Sequence, residues 1–232
     1  MTDERGRVPT TEQLLEAWRA AAAAHPPGHD LADVADRIHE ATPPWDLVGL
    51  TADAVQGTTA VLDLGGADVE PDGFALVRHE ADAPGRLPFP ERCVDAVLDR
   101  RGTYDADEVA RVLRPGGVLL TEQAAGDDAV DLHAVLGSPL PAPHRTPDRA
   151  AAALLDAGLR VTHEEAWRGP ISFDDVGALV AYLTATDWPT PGGFAVDGYA
   201  NTLLYLHMRG PAWGQSLVFT RSRFFVRAER PA

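Results

Sequence analysis

Lysine is absent from this 232-residue chain, and all 20 of its basic residues are arginine. That excludes a Schiff-base lysine and the lysine of a phosphate-cradling P-loop. One cysteine, Cys93, precludes an intrachain disulfide and fits a reducing compartment. No run approaches the ~20 apolar residues of a membrane-spanning helix, and the opening MTDERGRVPTTEQ has no apolar signal core. The expectation is a cytoplasmic protein. A Gly-x-Ser-x-Gly elbow and a cysteine–histidine signature for nucleophilic catalysis are also missing. Gly65-Gly66-Ala67-Asp68 is not followed by a third spaced glycine and a helix, which disfavours a dinucleotide-dependent oxidoreductase.

What is present describes an acidic globular protein. The formal charge of −15 is spread among alanines and arginines, not gathered in a tail, and so reads as a solvated acidic surface. Phosphate backbones would be repelled, which argues against nucleic acid as a partner. A 45% hydrophobic composition with five Trp and seven Phe argues against disorder. A chain of 232 residues can bury its core as one domain.

Local signals divide the chain. Thr10 and Gln13 form a capping box ahead of Leu14, Leu15 and Trp18, which share a helical face. Asp30 as cap and Leu31, Val34 and Ile38 predict a second helix. His25 and His29 have the four-residue spacing of a helical metal pair, but Pro26, Pro27 and Gly28 between them forbid the helix. Residues 48–55 read as a helical approach to the first sheet strand. Beyond Gly126 the reading is a proline-rich connector. Thr146-Pro147 then starts a helix that Gly158 ends, and residues 160–167 read as a strand. Helices follow around Val176–Leu183 and from Asp197, and the last strand is expected over 216–228.

Three short apolar runs between Thr59 and Gln123, namely AVLDL, VDAVLD and GVLLTEQ, read as buried strands. The first ends in Asp63-Leu64-Gly65-Gly66, and ligands of open α/β sheets bind at such carboxyl ends. Only ADVEPDG separates Gly66 from Phe74, whereas a parallel crossover needs a dozen or more residues. By length, residues 74–79 are expected to return antiparallel beside the first strand. Asp105 and Glu108 cap a short helix, and Pro115-Gly116-Gly117 is expected to stop it before a strand over 118–122.

VLDLGG, LPFP, VDAVLDRR, EVARVLRPGGVLL and LLDAGLRV, in that order over residues 58–165, resemble the class I S-adenosylmethionine-dependent methyltransferases of the small-molecule type. The resemblance implies an α/β Rossmann-like sheet, mostly parallel with an antiparallel C-terminal strand. Relative to that family, the first helix, second strand and second helix are read as lost after Gly66, with 74–79 resembling its third strand. It implies one methyltransferase-like domain, with N-terminal helices to residue 57, a sheet core over 58–168, inserted helices over 169–215 and a final strand over 216–232.

The same resemblance implies the site. Gly65 and Gly66 would face the methionine part of the cofactor S-adenosylmethionine, with Asp63 supporting their loop. Asp82 would reach the adenine amino group, and Asp99 and Arg100 would line the floor near the sulfonium and substrate. Trp45 would be a lid residue over a small-molecule substrate. The acid that grips the ribose at the end of the family's second strand has no counterpart, and Glu70 or Glu80 are candidates to replace it. Tyr104 and Glu122 lie just after strands and so near the expected cleft. His79, His133 and His207 are candidate bases, though each is more readily a surface or packing histidine. Beside a methyltransferase stand a degenerate relative acting as a binding or assembly module, as a homodimer or with another protein, and a repurposed pocket that catalyses another reaction.

Overall fold

The computed structural model describes residues 8–65, 73–79, 85–100, 102 and 104–232. Its helices are α1 (Thr11–Ala24), α2 (Leu47–Val55), α3 (Ala106–Val112), α4 (Val130–Leu136), α5 (Pro147–Asp156), α6 (Val176–Ala185) and α7 (Ala200–Arg209). Its strands are β1 (Ile38–Glu40), β2 (Ala60–Asp63), β3 (Ala75–Arg78), β4 (Val94–Asp99), β5 (Leu113–Ala124), β6 (Arg160–Phe173) and β7 (Leu217–Glu229). Hydrogen bonding orders the strands β1-β6-β7-β5-β4-β2-β3. The chain divides into two compact units, and β6 and β7 each run from one into the other.

One unit comprises Pro43–Asp128, Ala142–Arg168 and Ser222–Ala232. Here β3, β2, β4 and β5 are mutually parallel neighbours, and β7 joins β5 antiparallel through Val118↔Glu229 to Ala124↔Arg223. A parallel sheet is covered on both faces, so its strands read as continuous apolar runs. One face buries Leu62, Val97, Leu119 and Phe224 with Val109 and Val112 of α3 and Leu154 of α5. The other buries Val61, Leu98, Leu120 and Phe225 with Ala54 of α2.

The expected antiparallel return of residues 74–79 is overturned. β3 pairs parallel to β2, from Ala60↔Ala75 to Asp63↔Arg78. The parallel register brings both strand ends to one edge, where the Arg78 Nε lies 3.6 Å from an Asp63 oxygen. The helix expected to stop at Pro115-Gly116-Gly117 ends sooner, at Val112, and those three residues lie within β5. They form a bulge, since Val94 pairs Leu113 while Ala96 pairs Val118. Asp95 sits opposite the bulge, where Arg114 donates to it at 2.8 Å. Burial would raise its pKa, but the Thr59 N–H, Arg114, the Thr59 hydroxyl and the Ala60 N–H hold it down to about 2.

The other unit comprises Met1–Thr42, described from Val8, with Ala129–Pro141 and Gly169–Arg221. Helix α6 is apolar all round and buried along most of its length, against Trp18 of α1, Phe173, Phe219 and Leu203 and Leu206 of α7. The capping box at Thr10 and Gln13 forms with both hydrogen bonds in place. The predicted second helix is only a 3-10 turn over Ala32–Arg37, because Ile38 is taken into β1, where it pairs with Phe173. Helix α4 lies where only a connector was expected; at seven residues it is too short to show a period in the sequence. Strand β6 outruns its expected end at residue 167, continuing through Gly169-Pro170 to pair with β1.

His25 closes α1. Its Nδ1 lies 2.8 Å from the Ala21 carbonyl oxygen and its Nε2 2.9 Å from an Asp33 oxygen. An imidazolium donates to both at once, whereas a neutral ring can donate to only one. The Ala21 carbonyl and then Asp33 accordingly raise the His25 pKa above its ordinary value. The stabilisation is fully present below the unfolded-state value of about 6.5 and is lost as pH rises through the folded-state value. A His25→Gln variant should therefore melt lower than the wild type at pH 5.5, by several degrees for about 1–2 kcal/mol. That gap should narrow by pH 9, which paired thermal melts at the two pH values check.

Candidate functional site

The carboxyl ends of β2, β4 and β5 converge on one edge of the sheet; β2 and β4 end in a buried acid, and β5 carries one two residues before its end. Asp63 is 3% exposed, Asp99 1% and Glu122 8%. The parallel ladder continues past the strand ends: Leu64 N–H donates to the Leu98 carbonyl, Arg100 N–H to that of Gly65, and His79 N–H to that of Asp63. These bonds fix the described residues that leave β2, β3 and β4, namely Leu64, Gly65, His79 and Arg100.

Strand alternation then sorts the tip residues onto two faces. On the α2 face lie Asp63, Arg100, Glu122 and Trp45. Asp63 accepts the Gly65 N–H at 2.8 Å, an Asx-type turn, and Gly65 has φ +117°, a conformation open to glycine and not to side-chain-bearing residues. The Trp45 indole N–H donates to one Glu122 oxygen at 2.8 Å, and the Arg100 guanidinium stands 3.6 Å from the other. The Trp45 ring also packs on Phe225, centroid to centroid 6.2 Å. A buried carboxylate needs such partners, because an unpaired one is costly to desolvate.

On the α3 face lie Asp99, Thr121, Gln123 and Tyr104. The Thr121 hydroxyl donates to Asp99 at 2.8 Å, the Gln123 amide donates to Thr121 at 3.0 Å, and the Gly102 N–H donates to Asp99 at 2.9 Å. Tyr104 is hydrogen-bonded to Gln123. Burial, and then the Asp99 charge, push its phenol pKa well up, so it stays a neutral donor or acceptor at physiological pH.

The expected site residues thus divide. Asp63, Gly65, Asp99, Arg100, Trp45 and Tyr104 all lie at the strand tips, with Tyr104 and Asp99 on one face and Trp45, Asp63 and Arg100 on the other. Gly66, Asp82, Glu70 and Glu80 lie outside the described residues. His79, just past β3, packs edge-on to Phe89 at 5.6 Å. His133 and His207 belong to the other unit. There His133 is buried with its Nδ1 2.9 Å from the Ser138 hydroxyl, and His207 packs on Trp18, burial lowering its pKa. The Trp45–Glu122 bond and the Thr121–Asp99 bond were not anticipated. Their signal was the polar run Thr121-Glu122-Gln123 closing an otherwise apolar strand.

No family model matches the sequence, and no curated protein does. Solved structures do share its fold. A candidate methyltransferase of Bacillus halodurans C-125 is 15% identical, with 81% of this chain and 99% of that one covered and a TM-score of 0.52. The YcgJ protein of Bacillus subtilis is 16% identical, with 80% and 98% covered and a TM-score of 0.51. The fold is that of the class I methyltransferases. Among the described residues, no helix is long and apolar enough to cross a membrane.

Replacing Trp45 with Phe keeps the ring on Phe225 but removes the donor to buried Glu122, and should cost about 1–3 kcal/mol of stability. In a double-mutant cycle with Glu122→Leu, which removes the acceptor, denaturant melts should give a coupling energy of at least ~0.5 kcal/mol. Additive effects would show that the bond contributes nothing.

Proposed function

We propose that this protein is an S-adenosylmethionine-dependent methyltransferase acting on a small molecule. The observation that carries the reading is the convergence of Asp63, Asp99 and Glu122, each buried and hydrogen-bonded, at the carboxyl ends of three parallel strands. Open α/β sheets bind ligands at that edge.

The residues present suit such a cofactor. Gly65, buried at the tip of β2 with φ +117°, turns the chain there without a Cβ. Arg100, whose side chain is 41% exposed, supplies positive charge for the methionine carboxylate. The half-buried Trp45 offers an aromatic wall. Bound there, the cofactor would supply an electrophilic methyl group, and methyl transfer then needs positioning and exclusion of water more than it needs a base. In this reading Asp63 and Asp99 act indirectly, fixing the Gly65 and Gly102 turns through the N–H groups they accept.

The ribose acid is assigned anew. The parallel placement of β3 beside β2 favours it as the stand-in for the family's second strand, although it resembles the third in sequence. Glu80 follows its end by two residues and would grip the ribose hydroxyls, while Gly66 and Asp82 would contact the methionine part and the adenine amino group. The chain is read as one abridged domain of this family, working in the cytoplasm.

One observation favours the alternative, a methyltransferase-fold protein that binds no S-adenosylmethionine and serves as a binding or assembly module. Eleven residues, 64–74, connect β2 to β3, too few for the usual helix. A repurposed, non-methylating enzyme would fit the same shortening.

Calorimetric titration with S-adenosylmethionine and S-adenosylhomocysteine separates these readings. Micromolar binding that weakens about ten- to a hundredfold in Glu80→Ala, the worth of a charged hydrogen bond, is expected. The absence of heat with both ligands up to millimolar concentration would exclude the methyltransferase reading.

A further inference from the structure

Where the chain leaves β5, beside the middle of β7, a groove of about 520 Å³ opens, bordered also by the segment leading into α5 and by residues 166–168 of β6. Its volume lies in the range of small-ligand sites, roughly 300–1,000 Å³. None of its lining residues is among the strand-tip residues described above, and it lies wholly within one unit.

Its walls are of two kinds. The half-buried Trp167, with Ala125 and Pro147, makes an apolar side. Arg145, Arg168 and Arg223 face the groove against a single acid, Asp127, in a chain whose formal charge is −15. Arg168 is bonded to that acid, which leaves Arg145 without an acid of the lining beside it. The lining thus holds more arginines than acids in a chain of acidic balance, and Arg145 supplies a charge that favours anions there.

Arg145 is the pivotal cation. Its backbone is pinned at both ends, the N–H donating to the Ala142 carbonyl at 2.9 Å and the carbonyl accepting the Gly126 N–H. Its guanidinium, on a half-buried residue, enters no hydrogen bond or ion pair of its own among the described residues. A partly desolvated guanidinium is best satisfied by a two-oxygen anion, which it can grip through parallel N–H donors. The wall behind it closes because position 126 is glycine: a Cβ there would stand 2.6 Å from the Ala142 carbonyl oxygen and 2.7 Å from the Pro143 backbone.

We propose that this groove is a binding site for a small organic anion, its planar apolar body on Trp167 and its carboxylate or phosphate on Arg145. The site stands whether or not the strand tips hold S-adenosylmethionine.

Calorimetric titration of the full chain with indole-3-acetate, phenyl phosphate and the neutral indole-3-ethanol tests it. At least one anion should bind with a sub-millimolar Kd and the alcohol at least about tenfold more weakly. The preference between the two anions tells carboxylate from phosphate recognition. Arg145→Gln, whose far-UV circular dichroism and melting temperature should match the wild type, should weaken the anion by about ten- to a hundredfold, the worth of a charge-assisted bond. Trp167→Leu should weaken both indole probes and leave the anion preference intact. The site is refuted if the alcohol binds as well as the tighter anion, if Arg145→Gln leaves the affinity unchanged, or if neither anion gives heat below millimolar concentration.

Discussion

Strand β5 is the element on which the sheet of this protein depends. From Val118 to Gln123 it is buried on both faces, paired parallel to β4 on one side and antiparallel to β7 on the other. Each of its apolar residues serves one of two cores, Leu119 that of α3 and α5, Leu120 that of α2. When the apolar run gives way to Thr121-Glu122-Gln123, the same alternation sends Thr121 and Gln123 to one face and Glu122 to the other. Two polar networks thus grow from three consecutive residues, because side chains in a strand alternate with a period of two.

Both networks are fully engaged within the protein. Asp99 receives a hydroxyl and a backbone N–H, Asp63 a backbone N–H, and Glu122 an indole N–H beside an arginine. Buried carboxylates survive only when so partnered. They fix the strand tips and the Gly65 and Gly102 N–H groups at that edge. A rigid edge of this kind is compatible with a catalyst or with a binding module, and the fold by itself does not choose between them.

The charge of the chain acts on a second scale. An excess of acid keeps most of the surface anionic, yet arginines meet at the groove beyond β5. Since all basic residues are arginine, each carries a planar fork suited to two-oxygen anions. Arg145 and Arg223 are distant in sequence, and only the closing of β7 onto β5 brings their segments together.

The sequence by itself determined the kinds of element and the edge at which a site could form. The capping residues Thr10, Asp105 and Thr146 mark the starts of α1, α3 and α5, since the side chain that caps a helix lies within a turn of the groups it satisfies. The runs AVLD and VDAVLD are strands because both faces of a parallel sheet are buried. The tertiary structure alone decided the direction of β3, the fate of Ile38, the bulge at Pro115-Gly116-Gly117 and the pairing of Trp45 with Glu122. Each depends on a partner distant in the chain: Ala60, Phe173, Asp95 and a tryptophan 77 residues away. Local propensity is written in neighbouring residues, whereas register and pairing are settled by which distant surfaces are left to be buried.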